Sequence, residues 1–158
     1  MKGKNMLIGI ILIVLGIGLD QISKVIAHTY FRNEIKVIDN FFSLVYVENT
    51  GAAWGMMKGR LWLLIIVALV ALGIFAYLMK DFNLQTKPVY SISLILMVTG
   101  AIGNLIDRIF RGFVIDFLEF TFGNYHFPVF NLADSFLTIG VILLIIDVLF
   151  GKSSELLK

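Results

Sequence analysis

The sequence contains no cysteine, and that absence excludes several kinds of site at once. Without thiols the chain has no disulfides, no thiolate metal ligands, no cysteine nucleophile and no lipid-attachment cysteine of its own. The two histidines, His28 and His126, lie far apart and lack the spacing of a metal-binding motif. We therefore expect no metal site.

Charged residues are also scarce. They make up 15% of the chain, against about a quarter in soluble domains. The formal net charge is +2 and the cations form no run, so a nucleic-acid partner is not expected. No P-loop and no G-x-S-x-G motif is present, which argues against nucleotide binding and against a serine hydrolase.

Apolar residues dominate instead: 59% of the 158 residues are hydrophobic and the mean hydropathy is +0.92. This composition indicates an integral membrane protein, and a membrane-spanning helix needs about 20 apolar residues. The predicted fold class is a membrane-embedded all-α bundle of four transmembrane helices, formed by residues 1–158 as a single domain. The predicted spans are residues 6–27, 61–79, 88–110 and 132–150.

The first span begins like a signal peptide, because Lys2 and Lys4 precede the unbroken apolar run from Met6 to Leu19. No small-x-small cleavage site follows this run, and apolar residues resume at Ile22. The pattern therefore predicts one uncleaved helix.

The connection between the first two spans reads differently. Residues 31–48 mix charges with short alternating and β-branched runs, which predicts a small strand-rich segment outside the membrane. In the loop NTGAAWG at 49–55, Gly51 and Gly55 are expected to allow close backbone approach rather than helix dimerisation. Cations are denser around the termini and the 80–87 loop than on the opposite side, which favours cytoplasmic termini.

Five aspartates lie in or beside the spans, where holding a carboxylate costs several kcal/mol, so each is a functional hypothesis. Asp147 lies alone at one end of the bundle, where a solvated or snorkelling side chain is expected. The other four meet at the opposite membrane boundary: Asp20, Asp107, Asp116 and Asp134.

Structural roles remain open for some of these residues. Asp20 and Lys24 are one helical turn apart and can neutralise each other on one helix face. Asp107 and Arg108 can simply form the polar end of a span. Asp134 can cap the fourth helix, a role that is also open to Asn131.

Asp116 is different, because it interrupts an apolar run and has no obvious capping role. Two carboxylates brought close together share a proton. One can then activate water while the other polarises a peptide carbonyl, as in aspartic proteases. Asp116 and Asp134 can meet if the chain turns back between them, and Gly123-Asn124 favours such a turn. Either aspartate can carry the shared proton; our hypothesis is that the helix dipole would help keep Asp134 ionised while buried Asp116 holds it.

Two other functions remain open on these residues. A small transporter would use intramembrane aspartate and lysine side chains as a relay, although the second span contains no polar residue at mid-membrane. A non-catalytic assembly factor would use the aspartates only as caps and ion pairs.

Five motifs, in order along the chain, resemble those of the bacterial lipoprotein signal peptidase (signal peptidase II) family. They run from residue 20 to residue 134: Asp20-Gln-x-x-Lys24, Asn49-x-Gly-Ala-Ala-Trp-Gly55, Gly103-Asn-Leu-Ile-Asp-Arg108, Val114-x-Asp-Phe117 and Phe130-Asn-x-Ala-Asp134. Any one of these motifs is a weak signal, whereas their shared order within four apolar spans is specific.

The resemblance implies an aspartyl endopeptidase of the bacterial inner (plasma) membrane that works without metal or cofactor. Its substrates would be diacylglyceryl-modified prolipoproteins, cut just before the lipidated cysteine at the outer face. Membrane lipid and the inhibitor globomycin are the other implied partners. The implied roles are catalysis for Asp116 and Asp134; substrate binding for Asn49, Gly51, Asn104, Arg108 and Asn131; and support of the site for Asp20, Lys24 and Asp107.

Overall fold

The computed structural model describes residues 2–52 and 56–150, which form four long helices and a four-stranded sheet. The helices are α1 (Lys2–Tyr30), α2 (Leu61–Leu78, continued by a 3-10 turn at Met79–Asp81), α3 (Pro88–Phe110) and α4 (Leu132–Phe150). The strands are β1 (Ile35–Ile38), β2 (Phe42–Asn49), β3 (Val114–Phe122) and β4 (Tyr125–His126).

All four helices are long and apolar enough to cross a membrane, as the fold-class prediction requires. In α3, 67% of the most apolar window is buried, against 11% in α1, 11% in α2 and 17% in α4. The three exposed helices therefore surround α3, and their outer faces are apolar surfaces that lipid can cover.

Small residues let α3 and α4 pack closely. A Cβ atom on Gly140 would lie 2.7 Å from Met97 Cγ and 2.9 Å from the Ser93 carbonyl oxygen. Close backbone approach of this kind is the usual basis of helix packing in lipid, where apolar side chains gain little from burial. Two buried hydroxyl groups of α3 are satisfied within the helix, because Ser93 donates to the Tyr90 carbonyl and Thr99 to the Ile95 carbonyl, each at 2.7 Å.

The strands form one antiparallel sheet in the order β1-β2-β3-β4. The predicted strands between the first two helices are present as β1 and β2. The other two strands come from the α3–α4 connection, for which the sequence indicated a turn but no strand. Gly123, with φ +62°, lies in the β3–β4 turn, and an isolated bridge then pairs Phe130 with Leu118.

The sheet packs on the end of α1. Ala27 of α1 and two β3 residues, Ile115 and Phe117, form a buried apolar cluster. The start of α1 lies at the other end of the bundle, where Asn5 donates a hydrogen bond of 3.3 Å to Asn83 in the loop before α3. The sheet and the polar ends of α1, α3 and α4 are therefore gathered at one end of the molecule.

Candidate active site

Asp116 lies on β3 and is 2% exposed. Its two carboxyl oxygens each accept a hydrogen bond from a side-chain amide, 2.8 Å from Asn49 and 2.7 Å from Asn131. Burial raises the pKa of Asp116 to about 7, and the negative charge of Asp134 acts in the same direction. The two amide bonds and the charge of Lys24 oppose this rise in pKa. Near neutral pH this carboxyl group can therefore hold a proton.

Asp134 lies in the first turn of α4 and forms a reciprocal cap with Asn131. The Asn131 side-chain oxygen accepts from the Asp134 backbone N–H at 3.0 Å, and the Asp134 carboxyl accepts from the Asn131 backbone N–H at 3.2 Å. The predicted capping role therefore holds for both residues. The other Asp134 oxygen accepts from the Asn104 amide at 2.7 Å. These donors and the helix dipole favour an ionised carboxylate.

Asn131 joins the two aspartates. It is fully buried, and its amide nitrogen lies 2.7 Å from Asp116 Oδ1 while its backbone N–H donates to Asp134. The same amide nitrogen also lies 3.2 Å from the side-chain oxygen of Asn104. The β3–β4 turn has thus brought together two carboxyl groups from different elements, as the dyad hypothesis requires.

Four charged residues next to this pair form an ion cluster, which consists of Asp20, Lys24, Asp107 and Arg111. Lys24, fully buried, donates to Asp20 at 2.9 Å, to Asp107 at 3.0 Å and to the Asn104 side-chain oxygen at 3.1 Å. The predicted Asp20–Lys24 pair is therefore present, and Asp107 completes it. Arg111 forms an ion pair with Asp107, so two cations balance two carboxylates. A buried charge is tolerated only when it is paired and hydrogen-bonded in this way.

The ion cluster also fixes the elements that carry the aspartates. Asp20 accepts from the Ala133 backbone N–H in the first turn of α4 at 3.0 Å, and Asp107 accepts from the Ile115 N–H on β3 at 3.2 Å. Lys24 holds the Asn104 oxygen, which leaves the Asn104 amide N–H groups directed at Asp134. Asp20, Lys24 and Asp107 thus bind the three parts of the chain that position the two aspartates, which are the first turn of α4, β3 and the Asn104 side chain.

Sequence reasoning missed one member of this cluster, Arg111, and one residue bonded to it, Gln21. Gln21 donates to Asp20, to Asp107 and to the Gly103 carbonyl, and its own oxygen accepts from Arg111. Arg111 follows Asp107 by one helical turn, the spacing that identified the Asp20–Lys24 pair. Applying the same spacing rule to the end of α3 would have found Arg111.

Arg108 lines the same site, and its guanidinium N–H groups are weakly bonded within the described residues. Within residues 2–52 and 56–150, its guanidinium makes two long contacts, each 3.4 Å, to the carbonyl oxygens of Asn104 and Gly51. Its buried Nε has no partner within the described part of the chain. Gly51 itself donates a backbone bond of 2.9 Å to Asn49. A Cβ on Gly51 would lie 2.7 Å from the Met56 carbonyl oxygen, so the predicted close approach is confirmed there; Gly55 lies outside the described residues.

These residues form the polar wall of a cavity of about 770 Å³. The rest of its lining is largely apolar and comes mainly from α2, α3, α4 and the chain after β4. Its polar lining includes Asn49, Asn104, Arg108, Asp116 and Asp134, and its apolar lining includes Leu64, Val67, Ala68, Ala71, Phe75, Phe127, Val129, Phe130 and Ile139. The cavity can therefore hold an apolar ligand with one polar segment against the aspartates.

The residues of this site are suited to acid–base chemistry. Within residues 2–52 and 56–150, no three histidine, aspartate or glutamate side chains are grouped closely enough to hold a metal ion. A carboxyl group that can hold a proton near pH 7 stands beside a second carboxyl group, and two carboxyl groups that share a proton are the arrangement of an aspartic protease.

The prediction for Asp147 is wrong. This residue is 6% exposed rather than solvated, and its Oδ2 has no hydrogen-bond partner within the described part of the chain. The α4 residue faces the bundle instead of the membrane surface, because the helix packs against α3 along its length. It lies at the end of α4 opposite to Asp134 and is not part of the site.

Comparisons with known proteins agree on one family. The family profile described as "Signal peptidase (SPase) II" matches residues 12–150. A lipoprotein signal peptidase of Bacillus pumilus is 45% identical over 141 residues, covering 87% of this chain and 90% of that protein. One from Geobacillus thermodenitrificans is 43% identical over 142 residues, covering 88% of each.

A solved structure shares the fold of this chain. A bacterial membrane enzyme determined by the in meso method at 2.3 Å resolution is 35% identical and superposes with a TM-score of 0.81. The match covers 93% of this chain and 90% of that one. The helical bundle and its sheet are therefore an arrangement found in a solved membrane enzyme.

Proposed function

The chain belongs to the signal peptidase II family, and on that premise we propose how its two aspartates cut the substrate. It is a multi-pass membrane protease that removes signal peptides from prolipoproteins. We propose three further points, which concern the catalytic residues, the cleaved bond and the side of the membrane. Asp116 and Asp134 are the catalytic pair, the cut lies just before a cysteine that carries diacylglyceryl, and the site faces the outer side of the membrane.

One observation carries the proposal. Asn131 contacts both carboxyl groups at the polar wall of an apolar cavity. A signal peptide is itself an apolar helix, so a substrate of this class fits a cavity that is apolar except at one wall. Neither a transport relay nor a set of helix caps requires two carboxyl groups beside one Asn in such a cavity.

The proposed reaction restores both aspartates to their starting protonation states, and the proton taken from water ends on the leaving nitrogen. Ionised Asp134 takes a proton from a water molecule, whose oxygen attacks the scissile carbonyl carbon, while protonated Asp116 gives its proton to the carbonyl oxygen. The C–N bond of the resulting diol then breaks as Asp134 protonates the leaving nitrogen and Asp116 recovers its proton. Proton transfers of this kind contribute about 10²–10⁴-fold each to an enzymatic rate.

Arg108 is the proposed contact for the substrate backbone. Among the residues that the structure describes, some of its N–H donors beside the aspartates have no partner, and a planar fork of donors suits a carbonyl oxygen. The amide groups of Asn49, Asn104 and Asn131 are bonded to the aspartates. We therefore propose that these amides hold the dyad, and their direct contact with substrate stays a prediction.

The apolar part of the cavity is the proposed place for the acyl chains or the signal peptide's apolar helix. Its α2 wall contains two alanines, Ala68 and Ala71, which leave room between α2 and α4. Membrane lipid would fill this space in the free enzyme, and globomycin would inhibit by occupying it together with the polar wall.

The test uses purified protein in lipid and a diacylglyceryl-modified precursor, with and without globomycin. Mass spectrometry of the products should show a new N-terminus at the lipidated cysteine, and globomycin should prevent its appearance. The same precursor without diacylglyceryl is the matched control and should be cut much more slowly. Cleavage at another bond, or equal cleavage of both precursors, would contradict the proposed substrate. Ion flux in liposomes without cleavage would favour the transporter.

A further inference from the structure

A second cavity, of about 330 Å³, lies on the other side of β3 from the proposed catalytic pair. Phe113 and Ile115 line this cavity, whereas Val114 and Asp116 line the larger one. Successive residues of a strand point to opposite faces, so β3 separates the two spaces. The remaining lining residues are Val25, His28, Tyr46 and Arg111.

One guanidinium group lines this cavity, and a second contacts two of its lining residues. Arg111 lines it and is 29% exposed, and only its Nη1 is used in the bonds to Asp107 and Gln21. Arg32 lies over the Tyr46 ring, with its Cζ 5.0 Å from the ring centroid. Its Nη2 is 2.7 Å from the Nε2 of His28 and its Nε donates to the His28 carbonyl. Both arginines thus keep N–H donors without a partner within the described residues.

The charges of Arg32 and Arg111 both act on Tyr46. Its hydroxyl donates to Glu48 at 2.9 Å. Burial raises the pKa of the Tyr46 phenol, the bond to Glu48 acts in the same direction, and the positive charges of Arg32 and Arg111 oppose it. That both arginine charges act on one ring agrees with their position around the cavity.

The cavity also lies at the level where the apolar surface of α1 ends. Ile22, Val25 and Ile26 are 60%, 54% and 43% exposed, so lipid chains can cover α1 up to this point. Tyr30, 69% exposed, follows one turn later, and exposed tyrosines are typical of the headgroup region. Val25 belongs to both the exposed apolar face and the cavity lining. The cavity therefore opens at the boundary between acyl chains and headgroups.

We propose that this cavity binds the phosphodiester of a membrane phospholipid, with Arg32 and Arg111 donating to the phosphate oxygens. Guanidinium groups bind phosphate through paired N–H donors. Val25 and Phe113 then contact the first carbons of the acyl chains. The Glu48 carboxylate nearby disfavours a second negative charge, so a singly charged diester binds better than free inorganic phosphate. This site does not depend on the catalytic assignment.

The test measures the thermal unfolding of the full chain in detergent while short-chain phosphatidylglycerol is added. We expect a saturable rise in Tm that neither inorganic phosphate nor a diacylglycerol with the same chains reproduces. An equal rise with inorganic phosphate would show a free-anion site, and an equal rise with diacylglycerol would show binding through the chains alone. Either result, or no rise at all, would overturn the proposal.

Two variants with opposite effects sharpen the test. Arg32→Gln should raise the half-saturating phospholipid concentration by about tenfold, because it removes a charged hydrogen-bond donor. Glu48→Gln should lower that concentration and let inorganic phosphate bind, because it removes the opposing charge. Lys36→Gln, which removes an exposed cation from β1, is the matched control and should bind like the parent. Unchanged binding in both test variants, each shown to be folded by its own unfolding curve, would refute the site.

Discussion

The two aspartates can be tested one residue at a time, because they belong to different elements, β3 and α4. If both transfer protons, Asp116→Asn and Asp134→Asn should each lower kcat by about 10²–10⁴-fold or more. Both variants should remain inserted in the membrane, as a protease-protection pattern would show. Asp39→Asn changes an exposed aspartate in the β1–β2 turn and should process the precursor normally. Near-normal turnover by either dyad variant would remove that residue from the mechanism.

The pKa of Asp116 predicts the direction of the pH dependence. The mechanism needs this carboxyl group protonated, and burial raises its pKa to about 7. Activity should therefore be present below pH 7 and fall as the pH rises through about 7 and Asp116 loses its proton. A rate that instead rises with pH through this range would assign the proton to another group.

Asn49 provides a separate check of the same proton. Its hydrogen bond to Asp116 lowers the pKa of that carboxyl group, so Asn49→Ala should raise the pKa. The alkaline limb of the pH–rate profile should move to higher pH even if the maximum rate falls. Asn33→Ala removes an exposed asparagine and should leave the limb in place. A limb that stays in place in Asn49→Ala, or moves to lower pH, would contradict the assignment.

At the scale of elements, Gly103 decides how closely α1, α3 and α4 meet. A Cβ there would lie 2.6 Å from Asp20 Oδ2 and 3.2 Å from the Ala133 Cβ. Gly103→Ala should therefore displace Asp20 from the ion cluster and destabilise the protein by about 3–5 kcal/mol, the usual cost of breaking a buried pair. Thermal unfolding in detergent measures the loss.

The control for Gly103 is another helical glycine with free space around it. A Cβ on Gly18 of α1 would meet no atom within 4 Å, and alanine is the better helix former by about 0.5–1 kcal/mol. Gly18→Ala should be neutral or stabilising. If the two variants unfold at the same temperature, the close approach at Gly103 does not determine stability.

The four helices could be predicted because an apolar run long enough to span a membrane is a local property of the sequence. The strand β3 could not. Its first residues, Val114 to Phe117, are all buried, so they show none of the alternation that marks a half-exposed strand. Its partner β2 lies before α2 and α3 in the chain, and no local pattern reveals a pairing over that distance.

The candidate site was predictable to a similar extent. The motifs identified the aspartates and asparagines, and one-turn spacing identified the Asp20–Lys24 pair. That Lys24 contacts Asp107 and Asn104 on another helix depends on how α1 and α3 pack, which residue spacing does not contain. The error at Asp147 has the same origin, because an aspartate near the end of a span can face either the membrane surface or the bundle.

At the scale of the whole molecule, the orientation of the bundle in the membrane decides which side its proposed catalytic pair faces. The sheet and the proposed catalytic pair are at one end, and the start of α1 and the 80–87 loop are at the other. The denser cations at the latter end favour the cytoplasm for that side. A protease for precursors that have crossed the membrane should then present its aspartates at the outer face.

Because the chain has no cysteine, single cysteines can report this orientation directly. Asp39→Cys, in the exposed β1–β2 turn, and Gln85→Cys, in the exposed loop before α3, mark the two ends. A membrane-impermeant maleimide applied to intact spheroplasts should label Asp39→Cys, and Gln85→Cys only after permeabilisation. Both variants should keep processing activity, since neither position contacts the proposed site. The reverse labelling pattern would place the aspartates at the cytoplasmic face, where they could not meet a translocated precursor.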